Sequence, residues 1–209
     1  MRKLKEIEFK KIVTARVFKA LLKRFDVTPA DAAEQTNYYF DTPDLALCRA
    51  GMALRVREKG GVFGVTLKVG ARGYANEYVL APLTPARFRL LKAGGLERLE
   101  WAPLLRAAGV DPARVRCRAR LCTRRIVVKW EGGDICLDDS RYGRRRDYEL
   151  EYEVTDARRG RRLFLKLLAE FDLKPDAKPV SKSARALAAG RPEITRPASA
   201  APCSRARPG

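Results

Sequence analysis

Charged and apolar residues alternate one for one in several short runs of this chain, and elsewhere the apolar residues recur at helical spacing. Residues 6–13 alternate and predict a strand. Thr14 then caps a predicted helix reaching about Arg24, with Val17, Phe18, Leu21 and Leu22 along one side. A strand over 37–40 runs into the turn Asp41-Thr42-Pro43-Asp44. Strands over 53–58 and 62–69 flank Lys59-Gly60-Gly61, a hairpin, and 77–80 is a further short strand. Thr84-Pro85 starts a helix ending near Gly94, and a second helical piece covers 96–108. Strands resume over 115–130, turn at Gly132-Gly133, return over 135–138, and finish over 148–155. Asp156 caps a helix carrying Leu163, Leu167, Leu168 and Phe171, and a short helix follows Ser181. Beyond Gly190 the composition of Pro, Ala, Ser and Arg predicts a disordered basic tail, residues 191–209.

The alternation also sorts charge by face, because successive side chains of a strand point to opposite sides. Glu6, Glu8 and Lys10 share one face while Ile7 and Phe9 share the other. Arg55 and Arg57 oppose Leu54 and Val56, and Thr66 and Lys68 oppose Val65, Leu67 and Val69. Arg116, Arg118 and Arg120 alternate with small or apolar residues; Glu149, Glu151 and Glu153 alternate with Tyr148, Leu150, Tyr152 and Val154. An ordinary sheet with one wet face accounts for any one of these strands. For the whole set a closed, mainly antiparallel sheet fits better, since closure removes edges. Its apolar face would point outward beneath the amphipathic helices, and its charged face inward. A charged lumen is costly unless it binds something. Bases on one wall suit phosphoryl oxygens; acids on another suit divalent cations.

Composition narrows the chemistry. The 209 residues suit one domain, and a formal net charge of +19 points to polyanionic ligands. There is no histidine, so His-based catalysis and His-ligated zinc are excluded, and a metal held by carboxylates would be Mg²⁺ or Mn²⁺. The five cysteines, Cys48, Cys117, Cys122, Cys136 and Cys203, form no CxxC pair and are expected to be reduced structural thiols. No apolar run is long enough for a membrane helix, and the N-terminal residues turn acidic where a signal peptide needs an apolar stretch, so the cytoplasm is the expected location.

Read in order, these segments resemble the CYTH (triphosphate tunnel metalloenzyme) family. Glu6-Ile7-Glu8-Phe9-Lys10 resembles its opening ExExK signature, Tyr39-Phe40-Asp41-Thr42-Pro43 its YFDTP turn, and Arg55-Val56-Arg57 its RxR. Thr66-Leu67-Lys68 resembles its TLK strand, with Glu77 following; Arg118 and Arg120 fall on its central basic strand, and Asp138 on its LD. Glu149-Leu150-Glu151-Tyr152-Glu153 resembles its ELELE strand and Ser181-Lys182-Ser183 its closing SK motif. The resemblance covers residues 1–190.

The resemblance implies an α+β fold: a closed eight-stranded antiparallel β-barrel, or tunnel, with a charged lumen and helices packed outside. It implies metal-dependent hydrolysis of a triphosphate or polyphosphate, inorganic triphosphate first. Glu6, Glu8, Asp138, Glu149, Glu151 and Glu153 would serve Mg²⁺ or Mn²⁺. Lys10, Arg55, Arg57, Lys68, Arg118, Arg120 and Lys182 would grip phosphate, and Glu6, Glu8, Lys10 and Glu77 would be catalytic. Arg124, Arg125 and the run Arg144-Arg145-Arg146 have no family motif and are expected on a solvated surface. Two departures matter: Arg118-Ala119-Arg120 stands where some members have a KxR pair, and the histidine-containing motif of the family's cyclases is missing. Alternatives are a non-catalytic polyphosphate or nucleic-acid binding module, and a triphosphatase or cyclase acting on an organic triphosphate. The scarcity of aromatics on the basic segments argues against single-strand nucleic-acid recognition. A monomer or a homodimer is expected.

Overall fold

A computed structural model describes residues 2–71, 74–94, 102–177 and 179–189. The expected tail, residues 191–209, and the first part of the expected helix, residues 96–101, lie outside the described residues. Eight strands are present: β1 (Arg2–Val13), β2 (Ala33–Asp41), β3 (Met52–Lys59), β4 (Val62–Ala71), β5 (Tyr74–Leu83), β6 (Arg116–Trp130), β7 (Gly133–Tyr142) and β8 (Arg145–Val154). The helices are α1 (Ala15–Arg24), α2 (Ala46–Arg49), α3 (Pro85–Ala93), α4 (Ala102–Ala107), α5 (Ala157–Ala169) and α6 (Lys182–Ala189). All strand pairs are antiparallel and close in the order β1-β5-β4-β3-β2-β6-β7-β8. The closed antiparallel barrel expected from the sequence is therefore the fold. The strands extend further than the alternation indicated, because pairing continues past the point where side chains stop alternating.

The outer, apolar face is covered in two patches. On one side Phe40, Leu54, Val56, Val65 and Leu67 pack beneath Leu47 of α2, Phe88 and Leu91 of α3 and Leu105 of α4. On the other, Leu137, Leu150 and Tyr152 meet Phe18, Leu21 and Leu22 of α1 and Phe164, Leu167 and Leu168 of α5. Local signals set the helix starts. Thr14 Oγ1 accepts from the Val17 amide and Asp156 accepts from Arg158 and Arg159, satisfying amide groups that a helix N-terminus leaves open. Gly160 lies inside α5, where glycine is ordinarily unfavourable. A Cβ there would lie 2.6 Å from Val154 and 3.0 Å from Phe9, so its absence lets α5 sit close on β1 and β8.

One helix does more than cover the wall. Ala186 of α6 packs with Tyr39, Ala119, Leu121 and Tyr142, residues whose strand positions face the lumen. α6 thus closes the barrel end formed by the end of β2, the start of β6 and the β7–β8 turn. Among the described residues no helix is long and apolar enough to cross a membrane.

Candidate active site

Register puts the alternating charges on one inner surface. Glu6 and Glu8 project from β1 beside β8, with Glu8 opposite Glu153 and Lys10 opposite Glu151. Arg55 pairs across with Thr66, and Lys68 across with Glu77. The side chains meet as the positions require. Lys68 Nζ donates to Glu6 at 2.6 Å, Lys10 to Glu8 at 2.6 Å, and Arg55 to Glu77 at 3.1 Å and Thr66 at 3.1 Å. Arg57 donates to the Asn37 carbonyl at 2.9 Å and makes no ion pair among the described residues.

Two charges on this surface are disfavoured where they stand. Burial, and next the repulsion of Glu151, raise the Glu8 carboxyl above its usual range despite Lys10 and Lys68. Burial, and next the cations Arg55 and Arg125, pull the Arg57 guanidinium down to about 10. Both groups are pushed toward their neutral forms, and a bound cation near one and a bound anion near the other would relieve them. Carboxylate oxygens of Glu6, Glu8 and Glu153 lie within 4.8 Å of one another. Three hard oxygen donors at that spacing, on a surface where Glu8 resists losing its proton, fit a divalent cation.

The acids nearer α6 are engaged differently. Asp138 accepts from Arg125 at 2.8 and 2.7 Å and pairs with Lys182 at 2.7 Å. Glu149 pairs with Lys182 at 2.9 Å and with Arg185 at 2.6 Å. Glu151 is bound by both Arg125 and Lys182. Glu151 is depressed although burial opposes its charge, because Lys182 and then Arg125 hold it ionised; Lys182 is raised against its own burial by Glu151, Asp138 and Glu149. Cys136, 2 % exposed, donates to Glu153 at 3.7 Å, and burial pushes its thiol up.

The expected site residues therefore divide. Glu6, Glu8, Lys10, Arg55, Arg57, Lys68, Glu77, Glu149, Glu151, Glu153, Asp138 and Lys182 all lie on the lumen side. Lys182, expected to grip phosphate, is tied to three carboxylates, and Asp138, Glu149 and Glu151, expected on metal, hold its charge and those of Arg125 and Arg185. Arg118 and Arg120 do not join them. Arg120 is exposed and opposite Tyr38, whose ring packs on Phe88 in the outer core, so it points out of the barrel. Arg118 is the unpaired residue of a bulge, lying between the pairs Phe40–Cys117 and Tyr39–Ala119. Arg125, expected on the surface, takes the inner position on β6 and binds Asp138, Glu151 and, at 3.3 Å, Glu153. A signal for this lay in the hairpin, since counting outward from its turn sets Arg125 opposite Asp138.

A tunnel with this order of motifs has known counterparts. The CYTH domain family model matches residues 4–185. The chain belongs to the CYTH family. It is 34% identical over 171 residues to a Bacillus subtilis protein named "putative triphosphatase YjbK", covering 80% of this chain and 87% of that protein. A Bacillus halodurans crystal structure named as a "putative adenylate cyclase" superposes with a TM-score of 0.78 at 30% identity, covering 88% of this chain and 98% of that one. The Hippeastrum protein HpAC1 superposes with a TM-score of 0.68 at 23% identity, covering 91% and 99%, and adds support for the CYTH fold alone.

Proposed function

We propose that this CYTH chain is a divalent-cation-dependent triphosphatase that hydrolyses the terminal anhydride of a triphosphate, with inorganic triphosphate as substrate and Mg²⁺ or Mn²⁺ as the metal. The observation that carries the reading is the lumen itself: the Glu6–Glu8–Glu153 trio shares one surface with Arg55, Arg57, Lys10 and Lys68. The Bacillus subtilis relative is named a putative triphosphatase. In this reading residues 1–190 form the catalytic unit, residues 191–209 a basic tail, and the protein works in the cytoplasm.

Glu6, Glu8 and Glu153 would hold the cation. When bound it supplies neutralisation of phosphoryl charge and water of lowered pKa. Arg57, lacking a carboxylate among the described residues, binds phosphoryl oxygens and stabilises charge on the leaving diphosphate. Arg55 does the same beside it, aimed by Glu77 and Thr66. Lys10 and Lys68, paired here with Glu8 and Glu6, would bind substrate oxygens beside them. An Arg guanidinium does not accept a proton, so none on β6 is the base. Glu8, which burial and Glu151 push toward its neutral form, would be held ionised by the bound divalent cation and serves as a ligand, not as the base.

Phosphate release from inorganic triphosphate, ATP and thiamine triphosphate, with Mg²⁺, Mn²⁺ or neither, tests the reading beside a Glu6→Gln/Glu8→Gln variant. Hydrolysis that needs metal and is lost in the variant is the expected result. Conversion of ATP to a cyclic nucleotide instead would favour the cyclase named for the Bacillus halodurans relative. Tight metal-independent polyphosphate binding without turnover would leave a binding module.

A further inference from the structure

The outer wall of the barrel carries a charge arrangement that neither the tunnel nor the fold uses. Helices α1 and α5 lie side by side over β7, β8 and β1, joined at one end by Arg24 and Glu170 at 2.8 Å. Their 10 and 13 residues contain Arg16, Lys19, Lys23 and Arg24, and Arg158, Arg159, Arg161, Arg162 and Lys166, all exposed, with no acidic residue in either helix. The whole chain, by contrast, has 44 Lys and Arg to 25 Asp and Glu in 209 residues, so basic residues are concentrated here beyond an already basic average. Arg24 and Arg159 have ion-pair partners, Glu170 and Glu131; the other seven make no ion pair among the described residues. Asp156, at the start of α5, is occupied as its N-cap.

This arrangement works against the folded helices. Lys19 and Lys23, Arg158 and Arg162, and Arg162 and Lys166 are like-charged neighbours one turn apart, where repulsion weakens a helix. Arg158 and Arg159 also sit in the first turn of α5, where the helix dipole favours acids. A surface that breaks these local rules with no gain inside the fold is expected to gain from a ligand. We propose that the α1–α5 face is a docking surface for double-stranded nucleic acid, held through its phosphate backbone without base recognition. The exposed residues of the two helices other than the cations are alanines, and Val17, Leu163 and Leu165 are only partly exposed, so the face lacks the fully exposed apolar anchors of a membrane-binding helix and the aromatic platforms of a single-strand binder. Arginine predominates, which suits bidentate contact with backbone phosphates. The proposal is independent of the hydrolase reading, because no residue of this face enters the lumen.

Fluorescence anisotropy with a short duplex bearing 5′-hydroxyl ends, which the triphosphate tunnel has no reason to hold, is the test. Duplex affinity of the full chain is expected to fall about 100-fold between about 50 and 200 mM salt, as release of several counterions requires. An Arg158→Gln/Arg161→Gln/Arg162→Gln/Lys166→Gln variant is expected to bind at least about tenfold more weakly with a shallower salt slope. Its melting temperature should be equal or higher, since repulsion is relieved, and its triphosphate hydrolysis unchanged. Lys19→Gln/Lys23→Gln on the other helix should weaken binding in the same sense, and Glu6→Gln/Glu8→Gln should leave it intact. Unaltered duplex binding by both face variants would overturn the proposal. So would tighter binding to anionic vesicles than to duplex, weakened by the same two face variants.

Discussion

Two regions of the tunnel are built from the same residue types and balance them differently. Toward α6, Asp138, Glu149 and Glu151 each have two cationic partners drawn from Arg125, Lys182 and Arg185. On the other side Glu6, Glu8 and Glu153 have one ion pair each, and Arg57 has an amide instead of a carboxylate. The first region is an internal network that fastens a plug into the barrel. The second leaves cation-binding and anion-binding capacity open on one surface. Saturation, more than charge itself, separates scaffold from site, because an ion pair already complete has little to offer a ligand.

The comparison is broken most directly by removing one base from each region. Lys182→Met leaves three buried carboxylates short of a partner and should destabilise the chain by about 3–5 kcal/mol, read by urea unfolding. Arg57→Met removes a cation that burial and like charge already disfavour, so its stability should change by less than about 1 kcal/mol or rise, while phosphate release falls about 100-fold or more. Equal destabilisation by both would erase the distinction.

The distinction should also appear in the pH dependence. Glu151 is held ionised in the fold, so its folded pKa lies below its unfolded one and its contribution is complete above the unfolded value, about 4.3. That contribution is lost as pH falls below this point toward the folded value. Wild-type melting temperature should thus drop steeply below about pH 4.3, and Glu151→Gln, less stable at neutral pH, should show a flatter acid limb. An identical acid limb in both proteins would place the loss elsewhere. A smaller effect lies outside the lumen. Gly160→Ala would press a methyl against Val154 and Phe9, costing about 1–3 kcal/mol in thermal unfolding while leaving the metal requirement unchanged.

Much of this was legible in the sequence because a strand reports its faces with period two. Glu6, Glu8 and Lys10, and Arg55 and Arg57, reach the lumen by that rule. On β6 the same rule misled, for two reasons. The bulge at Arg118 shifts the alternation, and the apolar positions Ala119 and Leu121 face inward because α6 brings its own apolar side, at Ala186, into the barrel. Alternation tells which residues share a face; only a neighbouring element decides whether that face looks in or out. The pairing of Lys182 with three acids was hidden for the same reason, since it depends on a helix far along the chain folding back into the tunnel.

We propose that the divalent cation is held at Glu6, Glu8 and Glu153 and not at the saturated acids beside α6. Titrating Mn²⁺ into the wild type, Glu8→Gln and Glu149→Gln, with free Mn²⁺ followed by electron paramagnetic resonance, tests it directly. Glu8→Gln is expected to bind about tenfold or more weakly, while folded Glu149→Gln keeps the wild-type affinity. Binding that survives Glu8→Gln and vanishes in a folded Glu149→Gln protein would contradict it.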